Sequence, residues 1–286
     1  MNSVRKILAQ YDIRPRKKWG QSFLEDLNVT RRIAELARVG ADETVVEIGA
    51  GLGFLTAELE KHAGRVIALE IDPRLLQVLK ERFAGHEKVE VRAGDVLAYD
   101  FSSVSPDRKI KVVGNIPYNI STPILFRLID FRMSISSMVL MFQKELAERF
   151  VALPGTRDYG IPSVILARYS TTTKELTIPP TCFYPEPSIA STVLRMVMDG
   201  FRDDTEAERM FMKTVRVSFS KRRKTLWNNL KSVGIPEDLL KGILERVGID
   251  GTRRAETLSV EDYIHLAAEL NAANPGQKMI DKSGFF

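Results

Sequence analysis

The 286-residue chain is 44% hydrophobic and 28% charged, which excludes wholesale disorder and fits one large soluble domain or two of roughly 100–200 residues. No apolar run reaches the ~18 residues of a membrane span, no secretory leader opens the chain, the single Cys182 cannot close an internal disulfide and three histidines show no zinc-ligand spacing, so a cytoplasmic setting and metal-free chemistry are expected. Of the net charge of +5, residues 1–20 carry +5 and the acid-free stretch 209–231 carries +8, leaving −8 on the remainder: an acidic body with two basic segments suits a polyanionic partner, or more plainly a set of solvated helix faces.

Residues 28–39 have helical spacing and precede a first strand at 44–48. A helix over 54–62, a strand at 65–69, a helix over 74–83 and a strand at 89–92 follow, then strands at 110–113 and 137–142. This alternation predicts a parallel sheet with helices on both faces. The resulting α/β, Rossmann-like domain spans 21–204, behind a basic arm at 1–20. After Gly200 the pattern turns helical. Thr205-Glu-Ala-Glu208 and Ser259-Val-Glu-Asp262 fit capping boxes, and between them 220–233 and 237–247 have helical spacing, each followed by a Gly-Ile stop. Residues 205–271 therefore read as a small all-helical C-terminal domain and 272–286 as a loose tail.

The chemistry collects at the strand ends. Glu47-Ile-Gly-Ala-Gly-Leu-Gly53 is a glycine-rich strand-to-helix turn, which lets backbone approach an anionic group, although a tight structural turn explains it as well. Glu70 ends the next strand, where a carboxylate accepts hydrogen bonds from a ribose diol; Asp72, before Pro73, reads as a helix cap. Asp95 follows the third strand and suits an adenine amino group, and Gly114-Asn-Ile-Pro-Tyr118 follows the fourth. All four lie on one sheet edge, where open α/β folds bind ligands. A nicotinamide enzyme has no use for the fourth element; a methyltransferase acting on an amino group does. The Asn115 side-chain oxygen and the Ile116 carbonyl can accept from such an amine and aim its lone pair at a sulfonium methyl. Pro117 stiffens the turn, and Tyr118 offers a ring to the base.

Gln21-Ser-Phe-Leu24, Glu47 to Gly53, Glu70, Asp95, Asn115 to Thr122 and Phe183-Tyr-Pro-Glu-Pro187 occur in the order and spacing of the KsgA/Erm family of ribosomal RNA adenine N6-dimethyltransferases, which the chain resembles over about residues 12–270. Ser218-Phe-Ser-Lys-Arg-Arg-Lys-Thr-Leu226 and Arg254-Ala-Glu256 resemble the C-terminal domain of the branch that acts on the small ribosomal subunit; the Erm resistance enzymes differ there. The resemblance implies a monomeric S-adenosylmethionine-dependent enzyme that dimethylates the N6 amines of two adjacent adenines in the 3′-terminal hairpin loop of small-subunit (16S) ribosomal RNA, within the immature small subunit.

It also implies cofactor contacts at Ser22, Leu24, Gly49, Glu70, Asp95 and Asn115, with Gly49 beside the methionine part, Glu70 on the ribose and Asp95 on the adenine amine. Ser22 departs from the asparagine usual there, a shorter side chain whose backbone remains to take part. Asn115, Tyr118 and Phe183 would be catalytic, the two rings flanking a flipped adenine, with a core aromatic as the plainer reading of Phe183. Arg14-Pro-Arg-Lys-Lys18, Lys221 to Lys224, and Lys144 and Arg149 on a helix over 143–149 would contact RNA phosphates. An Erm-type large-subunit enzyme, a DNA or small-molecule methyltransferase on the same fold, and a mainly non-catalytic assembly factor are the competing readings.

Overall fold

A computed structural model describes residues 3–16, 19–199, 206–232 and 234–273. They divide into two compact units, Met1–Ala147 with Ser170–Asp199, and Glu148–Tyr169 with Gly200–Phe286. Lys17, Lys18, Thr205 with the first capping box, and the tail beyond Ala273 fall outside the described residues.

The first unit opens with helix α1, Val4–Gln10, which buries Val4, Ile7 and Leu8 against Leu52, Leu75 and Val78. The basic arm is thus anchored at its start by an apolar i, i+3, i+4 set, a period too short to announce a helix in the sequence. Strand β1, Phe23–Leu24, follows. Asp26 then opens α2, Leu27–Leu36, by accepting the amides of Asn28 at 2.8 Å and Val29 at 3.2 Å. The helix stops short of the expected 39 because Arg38 turns to a φ of 48°.

Beyond it come β2 (Thr44–Ile48), α3 (Phe54–Glu60), β3 (Arg65–Glu70), α4 (Pro73–Arg82), β4 (Val89–Ala93) and β5 (Ile110–Asn115). A 3-10 turn at Tyr118–Ile120 leads into α5 (Ser121–Asp130), then β6 (Ile135–Gln143) and α6 (Lys144–Phe150). After an excursion into the second unit the chain returns as β7 (Ser170–Ile178), β8 (Phe183–Tyr184) and β9 (Ser191–Met198).

Seven strands form one sheet in the order β4-β3-β2-β5-β6-β9-β7. The first five are parallel, as expected of a Rossmann-like methyltransferase domain; β9 and β7 close the sheet antiparallel. Those two were not legible in the sequence, because β7 is a polar edge strand and β9 is recognised only by its pairing with β6 and β7. In register, Ile48 lies opposite both Leu69 and Gly114, Glu70 opposite Ala93, and Asn115 opposite Met141, so the ends of β2, β3, β4 and β5 reach one edge together. A core of Ile33, Leu59, Val113, Val139 and Val193 joins α2, α3 and the sheet.

The second unit holds α7 (Ile161–Tyr169), α8 (Glu206–Ser218), α9 (Leu226–Lys231), α10 (Glu237–Arg246) and α11 (Val260–Ala273). Residues 148–169 belong with these helices, whereas a single boundary at 204/205 kept them with the sheet. The reason is chemical: buried Glu208 of α8 accepts from the Arg168 guanidinium and the Tyr169 hydroxyl of α7, both at 2.6 Å. Ser259 and Asp262 form the second capping box, each side chain accepting the other's amide at 3.0 Å. The helix expected over 220–233 is a correction. Only Leu226–Lys231 is helical, because Thr225 caps its start, so Lys221 to Lys224 occupy a turn between α8 and α9.

Candidate active site

At the shared strand edge lies an open cleft of about 940 Å³ including its mouth, walled by residues 19–24, the turn 49–52, Glu47, Glu70, Ile71, Gly114, Asn115 and Pro117 among others. The turn is held to the neighbouring strand: the Gly49 and Ala50 amides both donate to the Leu69 carbonyl, at 2.9 and 3.2 Å. Gly51, at a φ of 59°, donates its amide to Glu70 Oε2 at 2.9 Å, and a side chain there would press on the Phe23 ring at 3.3 Å.

Glu70 Oε1 accepts the amides of Ile71 at 2.8 Å and Asp72 at 2.9 Å. Three of the roughly four lone-pair sites of this carboxylate are thus occupied by its own backbone, leaving one for a ligand hydroxyl rather than the pair a diol would offer. Burial pushes the Glu70 carboxyl up, against the lowering effect of those three amides. Glu47, 2% exposed, is the second carboxyl on the cleft. Burial pushes it up to about 8, opposed by the Thr56 hydroxyl that donates to it at 2.5 Å, reinforced by Glu70 and opposed by Arg82. Its place in the glycine-rich motif gave no sign of this role.

The wall of residues 19–24 is tied down on three sides. The Gln21 side chain donates to Asp72 Oδ2 at 2.9 Å, and Asp72 also accepts from the Arg74 guanidinium. Burial would raise the Asp72 carboxyl, but the hydrogen bonds from Arg74 and Gln21 bring it below the usual range. The Ser22 hydroxyl donates to the Pro185 carbonyl at 2.8 Å, and β1 pairs antiparallel with β8. Asn115 Nδ2 donates to the Ser22 carbonyl at 3.0 Å. That bond orients the amide and leaves Oδ1 as the acceptor. The Ser22 side chain is thus spent on Pro185, and its carbonyl faces Asn115.

Ser22, Leu24, Gly49, Glu70 and Asn115 come together on this cleft. Asp95 stands on the same edge, exposed, with Oδ1 accepting the Leu97 amide at 2.9 Å, but outside the cleft wall. Tyr118 lies beyond Pro117, half-buried, its hydroxyl 3.0 Å from Ser191 Oγ; burial raises its pKa. Phe183 is 3% exposed and packs with Ile33, Val139 and Val193, so its ring sits in the core instead of presenting an open face. Trp19 and Ile71 also line the cleft, and nothing in the local pattern of either residue marks it, Ile71 being a single exposed apolar side chain between two acids. Among the described residues, no group of three His, Cys, Asp or Glu side chains is arranged to hold a metal, and no helix is long and apolar enough to cross a membrane.

Residues 13–272 match the ribosomal RNA adenine dimethylase family profile. The ribosomal RNA small subunit methyltransferase A of Syntrophus aciditrophicus is 43% identical over 278 residues, covering 95% of this chain and 99% of the relative. Its namesake in Geobacter sulfurreducens is 44% identical over 269 residues, covering 91% and 97%. Among solved structures, a dimethyladenosine transferase from Plasmodium falciparum superposes with a TM-score of 0.76 at 27% identity, over 88% of this chain and 98% of that one. The 23S rRNA methyltransferase ErmE gives a TM-score of 0.68 at 26% identity, over 87% and 99%.

Proposed function

The chain belongs to the ribosomal RNA adenine dimethylase family, and on that footing we propose that it dimethylates the N6 amines of two adjacent adenines in the 3′-terminal hairpin loop of small-subunit ribosomal RNA, using S-adenosylmethionine and acting as a monomer on the immature small subunit. The observation that carries the reading is the position of Asn115. It ends the strand beside the glycine turn, with its amide nitrogen spent on Ser22 and its oxygen free to accept.

The cleft fits the cofactor by its donor set. It combines the acceptor oxygens of Glu70 and Asn115 with the apolar face of Ile71, which suits a ligand carrying hydroxyls and a flat ring. When bound, S-adenosylmethionine supplies an electrophilic methyl group on a sulfonium. Glu70 accepts from a ribose hydroxyl through its one open site. Gly49 keeps the wall low beside the Asn115 backbone, and Ser22 and Leu24 contribute from β1. Asp95 accepts from the cofactor's amine at the rim.

Asn115 Oδ1 and the Ile116 carbonyl accept from the target amine, pulling it toward tetrahedral geometry with its lone pair directed at the methyl carbon. With the cofactor bound, the methyl group it carries would be the one transferred, and the amine's surplus proton would pass to water. Tyr118 stacks on the base. Phe183 offers a second face only if its ring turns out of the core; in this conformation it positions β8, and through β8 the Ser22–Leu24 strand.

Lys144 and Arg149, both exposed, and the Lys221 to Lys224 turn supply phosphate contacts. The test is transfer of labelled methyl groups to purified immature small subunits, with large subunits in parallel. Two methyl groups on each of two adjacent adenines are expected; label confined to large-subunit RNA, or none, overturns the proposal.

A further inference from the structure

Leu153, 71% exposed, is the most exposed large hydrophobic side chain among the described residues. A lone surface leucine ordinarily needs no explanation, but this one is held out by a built turn. Its carbonyl accepts both from the Thr156 hydroxyl at 2.7 Å and from the Thr156 amide at 3.2 Å. Pro154 stiffens the next step, and Gly155, at a φ of 84°, donates its amide to the Glu256 carbonyl at 2.7 Å. The turn is therefore anchored to the segment before α11, and nothing in it is left to collapse and cover the leucine.

The Arg222 guanidinium donates to the Arg157 carbonyl, tying the basic turn to this loop. Lys221, Arg222, Arg223, Lys224 and Arg157 are all exposed. Arg254 is 4.0 Å from Glu256, and Asp158 is the one exposed acid in the loop. All of these residues belong to the second unit.

We propose that Leu153, on its pinned turn, is an apolar contact for an RNA duplex, seated on the sugar edges of the minor groove while the basic side chains beside it hold the flanking phosphates. The charge points to a polyanion, since Arg157 on the loop and the four cations of the turn tied to it are exposed, and the small-subunit RNA reading makes that polyanion RNA. The A-form minor groove is wide and shallow, displaying ribose 2′-hydroxyls and base edges, so a short side chain reaches the sugars without entering a cleft. The inference rests on the small-subunit RNA reading above.

The experiment measures binding of the full chain to immature small subunits across a salt series, for wild type, Leu153→Ala, Leu153→Asp and Leu153→Met. Removing apolar contact leaves the counterion count alone, so Leu153→Ala should raise Kd about five- to tenfold with the log–log salt slope unchanged. Leu153→Asp should weaken binding further, and Leu153→Met should restore it. Cofactor titration and melting temperature should match wild type in all three, since the side chain is 71% exposed.

Wild-type binding with all three variants equal to it overturns the wedge and leaves the enzyme's function standing. A Leu153→Ala variant that loses salt slope as well overturns it too, because the leucine would then act only by orienting the cations. Failure of wild type itself to bind the subunit overturns both readings.

Discussion

Asn115 and its bond to Ser22 make the sharpest residue-scale prediction. Asn115→Ala removes the acceptor for the target amine, so methyl transfer should fall below a tenth of wild type while the cofactor still binds, several-fold more weakly. A turnover assay beside a cofactor titration separates the two effects. Glu70 differs because its carboxylate serves three amides before it serves a ligand. Glu70→Gln loses charge-assisted bonds worth roughly 1.5–3 kcal/mol each, so the cofactor's Kd should rise at least tenfold, together with a lower melting temperature that Asp95→Ala, at an exposed site, should not show. Glu47 makes a pH prediction. Its carboxyl is raised from an ordinary 4.5 to about 8 by burial, so between those values the folded chain holds a proton that the unfolded chain has released. Stability from this group is complete below the unfolded value and declines as pH rises toward 8. Glu47→Gln should flatten the fall in melting temperature between pH 5 and pH 8; parallel curves for the two proteins would refute the assignment.

At the scale of elements, the junction between β2 and α3 carries the most constraint. Gly53 caps α3 at a φ of 77°, and a Cβ there would stand 2.5 Å from the Phe83 ring. Gly53→Ala therefore combines a left-handed backbone with a clash against the end of α4. The loss should exceed about 1 kcal/mol, read by chemical denaturation, and cofactor binding should weaken with it because the same turn walls the cleft. β1 and β8 teach a related point. Two residues each are too short to be stable alone, and they persist because Phe23 and Phe183 are buried on either side of the pair. The shortest strands among the described residues thus hold Ser22 and Leu24 against the cleft.

For the whole molecule, the question is how charge is deployed. The eight cations of 209–231 do not form one helical stripe: Arg209 pairs with Glu206 and Lys231 with Glu237, while Lys221 to Lys224 are exposed in a turn. Replacing Arg222, Arg223 and Lys224 together by alanine should lower the log–log salt slope of RNA binding by about 2–3, at somewhat under 1 per phosphate contact, with cofactor affinity spared. If the side chains only solvate the unit, the triple variant would keep its slope and lose thermal stability instead.

Some of this was decided by the residues alone. The βαβ alternation, the glycine turn, the acids at successive strand ends and Asn115 are local patterns: each depends on backbone periodicity or on one residue's conformational needs, so they are readable without contacts. The pairing of β9 between β6 and β7, the burial of Phe183, the satisfaction of Glu70 by its own backbone and the transfer of 148–169 to the helical unit are different in kind. Each depends on partners distant in sequence, Arg168 and Tyr169 on Glu208 or Leu24 against Phe183. Burial and hydrogen-bond satisfaction are properties of what surrounds a side chain, and that is settled only when the chain has closed on itself.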